Sequence, residues 1–382
     1  MRFAFISANK GLPWGGSEEL WAAAAKTALR EKHEVIVCVF AWPEPAAKVQ
    51  ELQQAGAELI RIPLKARRLP LWGYGWMRKL IARAPDVVCI SQGQEYDLAG
   101  RSWGADLIEW LSRSQTPCAS VVQYNDDVAR PSARGERNAK AIIELAQFNG
   151  YVAARNIAQT ERVLEMKVPR ATVVRNPVNL NDTSRLEWPT SAGVRRFASV
   201  ARLHAATKGQ DALLSVLSEP AWKDRAWELS LFGVGPDEAN FRKLAQLGGI
   251  AERVHFCGRT SDIRKVWREH HALIMPSRGE GTPLAMVEAM LSGRPCLVTD
   301  VGDCAAWVRE GIEGWIAARP ESAEVRAALE RMWNARDSWQ LMGDAAADRA
   351  WELFDPDAGG TLLTVLKACV SDHAKLAPHQ RK

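Results

Sequence analysis

The chain of 382 residues contains no run of the roughly 18 apolar residues that a membrane-crossing helix needs, which argues against an integral membrane protein. Its first residues lead directly into a short apolar strand, without the long hydrophobic region or cleavage signal of a secretory leader. Cysteine is sparse: seven are scattered with no C-x-x-C pair and no matching Cys/His spacing, so neither a zinc site nor a disulfide framework is expected. A reducing cytoplasm suits that pattern. The turn after the first strand lacks G-x-G-x-x-G, which counts against a nicotinamide-dependent dehydrogenase. No internal repeat or low-complexity tract interrupts the chain, and no nucleic-acid-binding motif accompanies its basic residues.

What remains is an ordinary globular composition, 47% hydrophobic and 25% charged, in a chain longer than one core usually supports, so two domains are expected. The net charge of +5 is unevenly placed. Residues 1–190 hold 25 Lys and Arg against 20 Asp and Glu, whereas residues 191–382 hold 25 of each. The N-terminal half is therefore the better candidate to meet an anionic acceptor or membrane surface.

Strand-like and helical runs alternate throughout. Arg2 to Ser7, Glu34 to Ala41, Ala57 to Ile62, Val87 to Ser91, Cys118 to Tyr124 and Gly150 to Ala153 read as strands, with a helix from Ser17 to Arg30 after Gly15-Gly16. After the polar, proline-bearing stretch 179–193 the alternation restarts at Phe197 to Ala201. It continues at Glu228 to Phe232, Val254 to Cys257, Leu273 to Met275, Cys296 to Thr299 and Trp315 to Ala317. This predicts two doubly wound parallel sheets, with ligands expected beyond the carboxyl ends of their strands.

The densest chemistry lies in residues 277–302, SRGEGTPLAMVEAMLSGRPCLVTDVG. Thr282 is the expected N-cap, Pro283 the first helical residue, and Gly293 with Arg294-Pro295 the stop, which predicts a helix from Pro283 to Ser292. Its start would aim free N–H groups and the positive end of the helix dipole at a phosphate over Gly281. With a rise of about 1.5 Å per residue, Glu288 would lie roughly 7.5 Å along the axis, while Glu280 stays in the preceding loop. His270 and His271, with no paired ligand nearby, are expected at a helix end rather than on a metal.

Glu280, seven intervening residues and Glu288, set in PSRGEGTPLAMVEAM, resemble the E-x7-E signature of retaining GT-B glycosyltransferases, especially family 4 (group 1). Ser199-Val-Ala-Arg-Leu203 with Lys208-Gly209-Gln-Asp211, Leu231-Phe-Gly-Val-Gly-Pro236, Arg253-Val-His-Phe-Cys-Gly258, Gly15-Gly16-Ser17-Glu18 and Asn176-Pro177-Val178 extend the resemblance over most of the chain. It implies a GT-B fold, two Rossmann-like domains facing across a cleft. Residues 1–185 would form an acceptor-side domain and 186–355 a nucleotide-sugar-binding domain, with the terminal helix 356–372 packing back on the first.

The same resemblance implies roles for individual residues. Glu280 would bond hydroxyls of the transferred sugar and Glu288 the nucleotide ribose. Gly281, Thr282, Pro283 and Leu284 would line the sugar and phosphate, and Gly15 and Gly16 would approach the diphosphate. Arg202 and Lys208 would hold the charge that grows on the leaving phosphate, so no metal and no cofactor beyond the co-substrate are expected. Many relatives carry a His near the reaction centre where this chain has Asn125, and the acidic positions of relatives are occupied here by Val234 and Ala306. The implied activity is transfer of a sugar from a nucleoside diphosphate to a glycan or lipid-linked acceptor hydroxyl with retention, in envelope polysaccharide, lipopolysaccharide or other glycoconjugate synthesis. A GT-B nucleotide-sugar epimerase and a catalytically silent GT-B binding protein are the alternatives. The stretch Lys65 to Lys79 mixes Arg67, Arg68, Arg78 and Lys79 with Trp72, Tyr74 and Trp76. It reads either as an ordinary loop and solvated helix face or as a surface for the acceptor or the inner face of a membrane.

Overall fold

The computed structural model describes residues 1–376 apart from Leu12, residues 66–73, Glu95, residues 125–129 and residues 191–192, with side chains to residue 372. The chain divides into two compact units, Met1–Pro177 with Asp355–Lys382, and Val178–Phe354.

The first unit is built on seven parallel strands: β1 (Arg2–Ser7), β2 (Glu34–Phe40), β3 (Glu58–Ile62), β4 (Val87–Gln92), β5 (Cys118–Val122), β6 (Phe148–Tyr151) and β7 (Ala171–Val173). Their order is β3-β2-β1-β4-β5-β6-β7. Both faces of this sheet are covered, so the inner strands are apolar at nearly every position. Phe3, Phe5, Val35, Val37 and Val39 belong to one core layer, and the alternating Ala4, Ile6, Ile36, Cys38 and Phe40 to the other. Leu20, Trp21, Ala24, Ala25 and Ala28 of the helix Gly16–Arg30 share the first layer with Leu362, Leu363, Leu366 and Cys369 of the C-terminal helix Ala358–Leu376. The two helices meet closely at Gly359, where a Cβ would stand 2.7 Å from the carbonyl carbon of Ala23.

The second unit holds six parallel strands: β8 (Arg195–Val200), β9 (Trp227–Phe232), β10 (Val254–Gly258), β11 (Ala272–Met275), β12 (Cys296–Thr299) and β13 (Gly314–Ala317). Their order is β10-β9-β8-β11-β12-β13. Phe197, Ile274 and Leu297 face one core layer, and Ala198, Leu273, Met275, Cys296 and Val298 the other.

Two doubly wound parallel sheets are thus present, as the alternation predicts. The division at Pro177 falls ahead of the boundary expected at 185 because the intervening residues bond into the second unit: Arg185 pairs with Asp344 and Asp348, and Asp182 with Arg264. β7 is short and half-exposed, with no apolar run to announce it. β6 starts at Phe148 rather than Gly150, its polar character arising from Asn149, which is buried and donates to the carbonyls of Ile143 and Pro169. Tyr74 and Trp76 are 4% and 5% exposed and sit in the first unit's core, so they are not part of a surface, whereas Arg78 and Lys79 are exposed. Arg67, Arg68 and Trp72 lie outside the described residues.

Among the described residues no helix is long and apolar enough to cross a membrane. Shortening Leu366 to Ala should destabilise the first unit by about 2–5 kcal/mol. Hydrogen exchange should then speed up in Gly16–Arg30, β4 and β5 and not in β8 to β13. Unchanged protection of Gly16–Arg30 would remove the C-terminal helix from that core.

Candidate functional site

In the second unit the sheet order reverses between β8 and β11, the position at which open parallel sheets bind ligands beyond their strand ends. The segment after β8 forms a single turn of helix, Ala205–Lys208, closed by Gly209 with φ +65°. A Cβ at 209 would lie 2.0 Å from the carbonyl oxygen of Pro276, so glycine is required there both by the left-handed backbone and by the approach of the loop that follows β11. The backbone N–H groups of Arg278 and Gly279 donate to the carbonyl of Thr207 at 2.8 and 3.3 Å. Arg278 also forks onto Asp211 at 2.6 and 2.9 Å and donates to the carbonyl of Ala205.

These contacts bring Lys208 and Glu280 together. Lys208 Nζ donates to Glu280 Oε1 at 2.5 Å, and Ser277 Oγ donates to the same oxygen at 2.7 Å. The Glu280 side chain is 10% exposed and that of Lys208 23%. Arg202 stands apart: it is exposed, its carbonyl accepts from Gln210 Nε2 at 2.8 Å, and its guanidinium meets no partner among the described residues.

The far side of the Glu280 loop is held by the turn after β12. Gly302 has φ +54°, and a Cβ there would stand 2.0 Å from the Gly281 oxygen. Asp303 N–H donates to that oxygen at 3.0 Å, and Thr299 Oγ1 donates to the carbonyl of Ser277. The helix that follows runs from Leu284 to Leu291, so the cap is Pro283 and not Thr282. With ψ 122° Pro283 is still extended, and its carbonyl accepts from Met286 and Val287. The N–H groups of Leu284 and Ala285 sit in the first turn, where a helix offers no internal acceptor. Glu288 is only 2% exposed and does not join Glu280: its Oε1 accepts from the backbone N–H and Nδ2 of Asn179 at 2.9 and 3.2 Å.

Arg278, Asp211 and Asn179 are thus structural members of the site to which sequence reasoning assigned no role. Asp211 and Arg278 stand inside the motifs KGQD and SRGE, whereas Asn179 reads as linker. His270 bonds Val266 and Ser230, and His271 Nδ1 accepts from the Arg196 N–H, with burial pushing the His271 imidazole down to about 4. Among the described residues no group of three His, Cys, Asp or Glu is placed to hold a metal.

In the first unit Gly15 caps the helix Gly16–Arg30 with φ −159°, extended backbone that any residue adopts, and a Cβ there would meet only Glu18 at 3.6 Å. The fold itself does not demand this glycine. Glu18 is 3% exposed, has no cation bonded to it among the described residues, and is held by Ser17 Oγ at 2.7 Å, Gly15 N–H at 3.0 Å, Asn9 Nδ2 at 3.2 Å and Ser7 Oγ at 3.3 Å. Burial pushes its carboxyl up to about 7 against the opposing pull of those donors. Asn125 lies outside the described residues. Gln123, beside it in sequence, is buried and accepts from Asn176 Nδ2 at 2.7 Å.

Residues 194–335 match the family model of glycosyl transferases group 1. A glycosyltransferase of Haemophilus influenzae is 27% identical over 198 residues, 49% of this chain and 53% of that one. The D-inositol 3-phosphate glycosyltransferase of Nocardia farcinica is 26% identical over 285 residues, 67% of this chain and 62% of that one. The matches therefore span less than two thirds of these relatives. Among solved structures, Anabaena Alr3699/HepE in complex with UDP matches with a TM-score of 0.76 at 18% identity, over 96% of this chain and 100% of that one. The sucrose-phosphate synthase of Thermosynechococcus elongatus matches with a TM-score of 0.68 at 16% identity, over 100% of this chain and 99% of that one. These likenesses identify the fold as GT-B.

The Glu18 carboxyl has a folded pKa above its unfolded value of 4.5, so the folded first unit binds more protons between pH 4.5 and about 7. Its stability should fall as pH rises through that window, by on the order of 3 kcal/mol for this group, and then level off. Urea unfolding of wild type and Glu18→Gln at pH 5 and pH 8 checks this. The variant should lose most of the difference, and an equal pH dependence in both proteins would mean that Glu18 is ionised throughout.

Proposed function

We propose that this chain, whose second unit carries a group 1 glycosyl transferase domain, transfers a sugar from a nucleoside diphosphate to an acceptor hydroxyl with retention at the anomeric carbon. The observation that carries this reading is the Lys208–Glu280 pair at the sheet's switch point, beside the open N–H groups of the helix Leu284–Leu291. A diphosphate over that helix start would meet Lys208, which has three N–H donors and uses one on Glu280, leaving two for phosphate oxygens. Glu280 would then lie beside the transferred sugar and accept from its hydroxyls. Gly281, Thr282, Pro283 and Leu284 would line the sugar and phosphate. Glu288, held by Asn179, would accept from the ribose. Arg202, which stands apart from that pair with its side chain exposed, would supply a second cation on swinging toward the phosphate.

Breaking the bond between sugar and diphosphate leaves negative charge on the terminal phosphate, and fixed cations beside it stabilise that charge as it develops. In the front-face route the departing phosphate oxygen takes the acceptor proton, so no protein nucleophile and no divalent metal are called on. UDP is the first nucleotide to test, because Alr3699/HepE was solved with it. The first unit, with the excess of positive charge, is proposed to receive the acceptor, a glycan or lipid-linked glycan. Its Gly15-Gly16 turn would approach the diphosphate, and Asn125 the reaction centre.

Nucleoside diphosphate release that depends on acceptor separates a transferase from an epimerase and from a silent binding protein. Lys208→Ala should lower kcat by about 10²–10³, the usual loss for one transition-state donor. Because that change strands the Glu280 carboxylate, Lys208→Ala with Glu280→Gln is measured alongside and should be slow as well. An unchanged rate at saturating donor removes Lys208 from the chemistry. Transfer should survive chelation, and loss of activity restored by magnesium or manganese would overturn the cation clamp.

A further inference from the structure

We propose that Arg278 and Asp211 are positioning residues for the donor site, acting together as a clasp that sets the spacing between Lys208 and Glu280. The proposal rests on the reading of that pair as the donor grip.

Lys208 and Glu280 lie on different loops, one after β8 and the other after β11, and each is a separate backbone excursion from the sheet. Something must hold the loops at a fixed separation, because a lysine side chain has four rotatable carbons and will not define its own position. Arg278 does this from the Glu280 side. Its guanidinium meets both oxygens of Asp211, at 2.6 and 2.9 Å, in the two-bond fork that only arginine and a carboxylate form well. The same group caps the carbonyl of Ala205, and the Arg278 backbone N–H donates to Thr207 O. One residue thus bonds three positions, 205, 207 and 211, that bracket Lys208. Asp211 is itself fixed in the first turn of the helix Gln210–Leu217, directly after Gly209 touches Pro276. The two charges are partly exposed, 31% and 33%, so their pairing is a weak source of stability, whereas its geometry is tightly specified. Neither side chain is placed to touch substrate in the reading above. Their effect passes through Lys208 and Glu280.

Two experiments test this. The first needs no ligand: Arg278→Lys keeps the charge and loses the fork, and Asp211→Asn keeps the shape and loses the charge. In both, hydrogen exchange of segments 204–209 and 277–281 should quicken by roughly tenfold while the melting temperature stays within a few degrees of wild type. Unchanged exchange overturns the clasp, and a large fall in melting temperature shows a structural role instead. The second measures turnover after UDP, GDP and ADP are titrated to find the nucleotide that wild type binds, with the corresponding nucleotide-glucose as donor. Arg278→Lys should lower kcat by roughly tenfold with little change in donor KM, and should cost little further in a Lys208→Ala background, the non-additivity expected of residues acting as one unit. Additive losses would mean that Arg278 acts independently of Lys208 and would overturn the proposal. If wild type binds none of the nucleotides, the donor-site reading fails on its own, and the exchange experiment still decides whether Arg278 and Asp211 set the pair.

Discussion

The pairing of β8 with β11 is the constraint from which the rest of the second unit's site follows. Ala272 lies beside Phe197 and Leu273 beside Ala198, two strands that are distant in sequence and made adjacent by the reversal of the sheet. Because both strands run in the same direction, their following loops emerge side by side. Lys208 and Glu280 can then meet at 2.5 Å although 72 positions separate them. Two glycines let the backbones come close enough: Gly209 against Pro276 and Gly302 against Gly281, each with a left-handed φ and a hypothetical Cβ 2.0 Å from a carbonyl oxygen. The loop bearing Glu280 is thereby wedged between its neighbours on both sides.

The two units treat their carboxylates in opposite ways. Glu280 accepts from a lysine ammonium and a serine hydroxyl at a site proposed to bind hydroxyls. Glu18 is surrounded by neutral donors alone and burial dominates, so near neutral pH it is divided between its two protonation states. Each follows a strand at the place where its sheet reverses, Glu280 in the loop after β11 and Glu18 in the first turn of the helix after β1, since β1 neighbours β4 in the first unit as β8 neighbours β11 in the second. The difference lies in what each loop presents to its acid, not in where the fold puts it.

Sheet architecture was legible because buried parallel strands carry near-continuous apolar runs; β1, β11 and β12 fall where the pattern places them. Where polarity enters a strand the pattern misleads, as Asn149 does in β6, and where a strand is short and half-exposed there is no pattern, as in β7. The aromatic and basic run at 65–79 shows another limit: composition alone does not reveal that Tyr74 and Trp76 turn inward. Beyond β11 the turn residues announced a helix, though its cap is Pro283 and not Thr282, and Lys208 drew notice through the family resemblance of its surroundings. The Arg278–Asp211 fork and the hold of Asn179 on Glu288 were not legible, because each joins residues far apart in sequence and nothing local marks a side chain as the partner of another 67 or 109 positions away.

The C-terminal helix gives the first unit a discontinuous composition in the chain. Its core needs Leu362, Leu363 and Leu366, yet residues 178–354 belong to the other unit and are synthesised first. On a ribosome the second unit is therefore whole while the first still exposes the apolar stripe of Gly16–Arg30, where Leu20, Trp21 and the alanines await their covering. At about 5–20 residues per second, that stripe stays open for roughly ten seconds or more after its own sheet has been made. The interval makes the first unit the part of the nascent chain with the greatest need of chaperone protection, and it makes the 19-residue helix Ala358–Leu376 the element that closes that unit's core.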